Sequence, residues 1–450
     1  MKLCGLLSVC LLVSAACGDS AGPSSSTPDG SVVDGSEALP DGGVGRSDAA
    51  GPTNALDAGD TGVPPTQGVS PASGDMVDGA APTTTTGSAL TSAQGCPGVY
   101  NPDQLLTLSF TIERGDLSAI LADTTYEVMV PAQLQCEREA PLEVGVRRKR
   151  SGGLRKVALK VDIDELVPGQ RWHGLRKLSL ENSVSEGEHQ DADVRASVSE
   201  YLAWRLMVLS GAVSGRAALA MVEVNGEPLG VYVHVEQVDK PFLKERFGDD
   251  SGWLYKKSGG DDGLKTHELS GEINPYEAYF CFWAGGRACP VPASTQLAAE
   301  LPTRLDIPQL LRFGAVNAII ANTDGPLFKD NNYYYYDCTG RPRVYIPWDL
   351  DTTMTATSGL YRGGGGRGGT SVFDAVLFMH WRDDYSAIAR ELLDTRLTAA
   401  AIDSELDRIL RVAGDAFARD PHVTGTLADA VTVLRSYWKQ RLPALHAELP

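Results

Sequence analysis

The chain has 450 residues, 42 % of them apolar, which suffices for a substantial core and for one large domain or two to three smaller ones. Its net charge is −18, and residues 1 to 95 hold ten acidic side chains against only Lys2 and Arg46. That balance argues against nonspecific nucleic-acid binding, which draws on a basic footprint, so no nucleic acid is expected as a partner.

The chain opens on "MKLCGLLSVCLLVSAACGDS", an early Lys2, a short apolar segment and small residues before Cys17. This is a secretory signal pattern, and its apolar run is too short to span a membrane. Small residues directly before a cysteine also resemble a bacterial lipoprotein processing site, although Ser14 stands where leucine is usual. The expectation is a signal peptide over residues 1–17 that leaves a lipid on Cys17 as a membrane anchor; an ordinary cleaved signal is the alternative. Residues 18–95 are Gly, Ser, Thr, Pro, Ala and Asp with scarcely an aromatic, which predicts a disordered tether because such a chain buries too little surface to offset its entropy. No later stretch is apolar for eighteen residues, so no transmembrane helix is expected.

Five cysteines lie beyond the signal region: Cys96, Cys136, Cys281, Cys289 and Cys338. Export permits disulfides. Cys96 is expected to pair with Cys136 and Cys281 with Cys289 across "FWAGGRA", leaving Cys338 free. No Cys or His spacing suggests zinc.

The folded part is expected over residues 96–450. "LLTLSFTIE" and "YEVMVPAQL" alternate like strands, and "LEVGVRRKRSGGLRKVALKVDID" reads as two strands joined by a basic, glycine-containing turn. "LRKLSLEN" is a further strand. "DADVRASVSEYLAWRLMVLSG" has helical spacing, acids at its start and Gly211 at its end. "AALAMVEV", Asn225-Gly226 and "PLGVYVHVEQV" form a hairpin, since Asn-Gly supplies the positive φ angles of a two-residue turn. "IPQLLRFGAVNAIIANTD" reads as helix, and residues 384 to 450 are largely helical. The fold class expected is therefore α+β in two lobes: a strand-rich N-lobe with one main helix over about 96–260 and a helix-rich C-lobe over about 261–450.

Between those last helical stretches lies "DGPLFKDNNYYYYDCTGRPRVYIPWDLD". The tyrosine run and Val344-Tyr345-Ile346 read as two strands returning through Thr339-Gly340, with the tyrosines alternating between core and surface. The hairpin brings Asp349 and Asp351 back beside Asn332, and clustered carboxylate and amide oxygens suit Mg2+ together with nucleotide phosphates. Asp330 and Asp337 read as solvated acids.

Aspartate, loop, asparagine, hairpin, aspartate is also the order of protein kinases, although no HRD or DFG is present. Lys156, on the strand after "RSGGLR", and Glu200, within the helix, stand in the order of the phosphate-contacting lysine and its helix glutamate. "YRGGGGRGGT" lacks the Gly-Lys-Ser/Thr ending of a phosphate loop. No histidine lies beside a GxSxG motif, so a hydrolase triad has no support.

Together "VGVRRKRSGGLRKVALKVDID", "GLRKLSLEN", "SEYLAWRLMVLSGAVSGRAALAMVEVNGEPLGVYVHVEQVDKPFL", "NAIIANTDG", "NNYYYYD" and "IPWDLD" resemble the spore coat protein H (CotH) kinase family over roughly residues 105 to 380. The resemblance implies an atypical protein kinase fold, ATP and Mg2+ as cofactors, and phosphate transfer to Ser or Thr of exported proteins. It matches Asp324 to the catalytic-loop aspartate, Asn332 to the asparagine before the tyrosine strand, and Asp349 to the metal-binding aspartate, with Asp351 as a second ligand. Lys156 and Glu200 match the basic strand position and the helix glutamate, and Glu236 is a candidate nucleotide-side residue between lobes. Where relatives carry a Gly-Asn/Ser-Ser turn, this chain has Arg150-Ser151-Gly152-Gly153, which leaves the mode of phosphate contact open. A non-catalytic surface protein using the same fold for assembly or adhesion is the alternative, and nucleotidyl transfer a third.

Overall fold

The computed structural model describes residues 96, 98–153, 155–184, 192–258, 261–266, 274, 276–280, 294–361 and 380–450. All of them lie in one unit, Thr86–Pro450. The signal region, the tether, the Cys281–Cys289 pair and the glycine run 362–370 fall outside the described residues.

The first strands are β1 (Leu106–Ile112), β2 (Val130–Cys136), β3 (Leu142–Arg148), β4 (Leu159–Asp162) and β5 (Lys177–Glu181), with helix α1 (Arg114–Ala122) between β1 and β2. A two-residue strand β6 (Ala192–Asp193) leads into α2 (Val194–Ser210), followed by β7 (Ala217–Val224) and β8 (Glu227–Val235). Seven of these strands close a barrel in the order β1-β2-β3-β4-β5-β8-β7. The seam is the parallel pair β1–β7, in which Leu108 faces Val222. Period-two alternation turns Leu106, Leu108, Phe110 and Ile112 of β1 inward, where they meet Val146, Val161, Leu178 and Tyr232. The Cys96–Cys136 disulfide ties the chain's entry to the end of β2.

Helix α2 is capped as its sequence dictates: Asp193 accepts from the Arg195 amide, and Gly211 closes it at φ 77°. It is buried on nearly every face, Glu200 included, because packing covers it all round. Asn225 (φ 54°) and Gly226 (φ 84°) make the expected turn between β7 and β8.

The chain continues through α3 (Lys240–Phe247), β9 (Trp253–Ser258), β10 (Asp261–Thr266), α4 (Glu277–Phe280), α5 (Ser294–Glu300), α6 (Ile307–Ile319), α7 (Pro326–Lys329), β11 (Tyr333–Asp337) and β12 (Val344–Pro347). It ends in α8 (Arg382–Glu391), α9 (Ala399–Ala418), the short β13 (Val423–Thr424) and α10 (Leu427–Glu448). Strands β10-β9-β11-β12 form an antiparallel sheet, while β13 pairs with β6. α1 and α3 fall in stretches to which the sequence pattern assigned no element. Among the described residues no helix is long and apolar enough to cross a membrane.

Two sequence expectations for the tyrosine hairpin fail here. Tyr333, Tyr334 and Tyr336 are all buried, so the strand is covered on both faces. Tyr333 meets Phe313 and Tyr345 on one side, and Tyr334 meets Trp348 on the other. Asp337 is not solvated: it is fully buried and receives Arg343 at 2.7 and 2.8 Å and the Asn274 amide at 2.8 Å. Arg343 in turn lies over the Phe280 and Tyr335 rings, so burial is compensated by charge and by π contact. Cys338 is free and buried, as expected.

Candidate functional site

After α6 the chain is tied to the segment that follows β12: the Thr323 amide bonds the Thr352 carbonyl at 3.1 Å, and the Met354 amide bonds Ile320 at 2.9 Å. These ties set Asp324 alongside residues 349–352. The Trp348 amide bonds the Asn332 carbonyl at 3.2 Å, so the hairpin places Asp349 next to Asn332 as the spacing required. Asp330, Asn332 and Asp349 all have positive φ, between 51° and 58°. Asn and Asp tolerate that conformation better than other side chains, and strained backbone gathers where function over-determines it.

Asp324, Asn332, Asp349, Asp351 and Glu200 line one cleft of about 990 Å³. Asp324 accepts from Asn332 Nδ2 at 2.8 Å and from Lys329 Nζ at 2.6 Å. Donating its amide NH2 to Asp324 commits one end of Asn332 and leaves the amide carbonyl as the end that can ligate a cation.

Burial, then Asp351 and Glu181, push the Asp349 carboxyl up to about 7, against the pull of Lys149 and Lys256. Glu200 is pushed well up, first by burial and then by Glu181, and Ser183 Oγ donates to it at 2.8 Å. Carboxylates crowded in a dry site raise one another, and a hard divalent cation relieves that repulsion. The oxygen donors of Asn332, Asp349 and Asp351 fit magnesium by that criterion.

The opposite wall is basic. Lys149 is ion-paired with Glu181 and bonded to Ser179 Oγ at 3.1 Å, Lys177 is paired with Asp162, and Lys160 donates to Gln237. Burial, then Lys149 and Lys177, bring Lys160 down to about 7; burial, then Lys149, bring Lys256 to about 8. Lys256 lies 5.2 Å from the Trp348 ring and Lys149 lies 5.6 Å from it. Cations thus face the carboxylate cluster across a tryptophan.

Two sequence-predicted site residues are not brought here. Lys156 precedes β4 instead of lying on it, and its ammonium is buried against Asp420 at 2.7 Å and 5.1 Å from the Tyr232 ring. Glu236 follows β8 but is taken by Arg216 and Arg246, each with a 3.0 Å contact to its carboxylate. Both side chains are spent on structure. Glu200 reaches the cleft, yet its partner is Ser183 and not a lysine.

The residues missed were Lys149, Lys160, Lys177, Glu181 and Lys256. Period-two reading of "KLSLE" could have put Lys177, Ser179 and Glu181 on one face, since Leu178 and Leu180 point into the barrel.

The glycine turn after β3 is pinned. The Gly152 amide bonds the Val184 carbonyl at 3.0 Å, Asn182 Nδ2 bonds the Gly152 carbonyl at 3.0 Å, and Arg148 bonds the Gly153 carbonyl at 3.3 Å. At Gly153, φ is 84° and a Cβ would lie 2.8 Å from the Lys156 carbonyl. Gly153→Ala is expected to cost about 2 kcal/mol, read as a lower melting temperature. An unchanged melt would mean that the turn is not held in this form.

Comparison with known proteins completes the picture. The family described as CotH kinase protein matches residues 148–445. No curated protein matches the chain. Among solved structures the chain is similar to one in the Shewanella oneidensis MR-1 toxin–antitoxin HipA, HipB and operator DNA complex, at 12 % identity and a TM-score of 0.28. That likeness covers 61 % of this chain and 59 % of the other, so less than two thirds of the solved chain is spanned.

Proposed function

The chain belongs to the CotH kinase family, and from that premise we propose that it is a two-lobed, exported kinase that moves the ATP γ-phosphate to Ser or Thr of surface or secreted proteins. The observation that carries this reading is the single cleft that gathers Asp324, Asn332 and Asp349 opposite a wall of lysines. The N-lobe is residues 96–260 and the C-lobe 261–450, with nucleotide between them.

In this reading Asn332, Asp349 and Asp351 hold the magnesium, which neutralises charge on the transferring phosphoryl group. Asp324 is fixed by Asn332 and Lys329, and its carboxylate orients the acceptor hydroxyl and takes its proton. The lysine wall steadies the remaining phosphate charge. Catalysis is then placement and charge stabilisation, with no covalent intermediate on the protein. The signal pattern and Cys17 support export with a lipid anchor in the envelope.

Calorimetry with ATP and magnesium tests the reading. No heat at millimolar nucleotide would sink it and leave a non-catalytic assembly or adhesion role. That second reading is favoured by the Gly152 amide, which is spent on Val184 where a phosphate cradle would need it.

The lysine wall makes a further expectation. Lys160 sits at about 7, so at about pH 8 it is mostly neutral, and a nearby phosphate favours its charged form. Nucleotide binding at that pH should therefore take up protons, seen as heats that vary with the ionisation enthalpy of the buffer. Uptake should fade below about pH 6, where Lys160 is already protonated. Buffer-independent heats at both pH values would rule out phosphate near Lys160.

A further inference from the structure

The pinned glycine turn raises the question of what touches the phosphates. Its Gly152 amide and both glycine carbonyls are committed to neighbouring residues. Phosphate contact therefore falls to side chains, and Lys156 is buried on Asp420.

Lys149 is the lysine built for the task. Its ammonium has three donors. Ser179 Oγ and the Glu181 carboxylate take two, which aim the side chain without exhausting it. It lies 5.6 Å from the ring of Trp348, the residue directly before Asp349. The Lys149 side chain keeps 20 % of its surface open. Lys177, by contrast, is matched by Asp162, and Lys160 is engaged by Gln237.

Resting on the nucleotide reading above, we infer that Lys149 is the phosphate-binding lysine of the cleft and that Glu181 is its positioning carboxylate. In protein kinases the corresponding glutamate rides on a helix, so helix movement makes and breaks the pair. Here Lys149 follows β3 and its amide bonds the Ala158 carbonyl at 2.7 Å, while Glu181 ends β5. Strand β4 lies between them and pairs with both neighbours. Both members belong to one closed barrel, so the pair is preformed and no swing of α2 is needed to assemble it. Glu200 on α2 is engaged by Ser183 instead.

An acyl-phosphate derivative of ATP tests this on the wild-type chain. The lysine amine nearest the phosphates attacks the acyl carbon, an amide forms, and ATP leaves with the phosphate–acyl bond electrons. Peptide mapping should find the acyl group on Lys149. Lys149→Met should raise the KM for ATP roughly 10- to 100-fold, the range of one lost charge-assisted contact, and Lys149→Arg should recover part of it. Glu181→Gln should lower kcat more than it raises KM, since it disturbs aim and not charge. Label on Lys160 or Lys256 with Lys149 unmodified, or an unchanged KM in Lys149→Met, overturns the assignment and leaves the nucleotide reading standing. Absence of both label and nucleotide heat overturns both.

Discussion

Asp349→Asn removes nucleotide-dependent phosphate transfer while the fold survives. The expected loss in kcat/KM is on the order of 10³-fold, equivalent to the several kcal/mol that a bound cation supplies at a phosphoryl centre. Asparagine is the informative replacement because Asp349 sits at φ 54°, a conformation that Asn adopts with little strain. The substitution keeps shape and backbone and deletes only the charge. Asp349→Ala would add strain to the lost ligand and confuse the two effects. Transfer from labelled ATP to a protein hydroxyl, measured beside a melting curve, gives the answer. Equal incorporation by wild type and Asp349→Asn, with equal melts, would remove the metal role and with it the kinase mechanism.

Lys156→Met should act on stability instead. The Lys156 and Asp420 side chains are 1 % and 0 % exposed, and burial pulls the lysine down even against the pull of Asp420. Removing one partner leaves a carboxylate buried without its counter-charge, which costs about 3–5 kcal/mol. Asp420 also accepts from the Val231 amide at 2.8 Å and the His422 amide at 2.9 Å. Gly230, φ 129°, lets the backbone come close: a Cβ there would lie 2.4 Å from the carboxylate. Lys156→Met with Asp420→Asn should recover at least half of the loss, because asparagine still accepts from those amides without a charge. The urea midpoint reads this directly. The KM for ATP in Lys156→Met should stay within about two-fold of wild type where the protein is folded, since Lys156 does not line the cleft. A large rise in KM with little loss of stability would restore Lys156 to the nucleotide site.

These outcomes also mark how far residue order carries. The order lysine, helix glutamate, aspartate, asparagine, aspartate is real in this chain, yet only part of it assembles. Asp324, Asn332 and Asp349 come together because 25 residues and one hairpin join them. The hairpin's register, Tyr333 opposite Pro347, follows from strand alternation and a tight turn. Lys156 lies in a run with Arg147, Arg148, Lys149, Arg150 and Arg155, where order alone does not say which cation turns to the cleft. The register Arg148 opposite Leu159 decides it, because it leaves Lys149 at the mouth of the β3–β4 hairpin and Lys156 tucked beneath it. Glu236 was misplaced for a similar reason: its neighbours Gln237 and Asp239 line the cleft, while its own carboxylate turns toward Arg216 and Arg246.

Local chemistry settled what needs only near neighbours. Alternation along β1, the Asp193 and Gly211 caps of α2, the Asn225-Gly226 turn and the acid-bearing hairpin all follow from steric preferences acting over a few residues. Partners far apart in the chain were decided elsewhere. Lys149 meets Glu181 across an intervening strand, and Lys156 meets Asp420 across 264 residues. Such pairs exist only after barrel closure and helix packing have excluded water, since desolvation is what makes a buried charge seek its one available counter-charge.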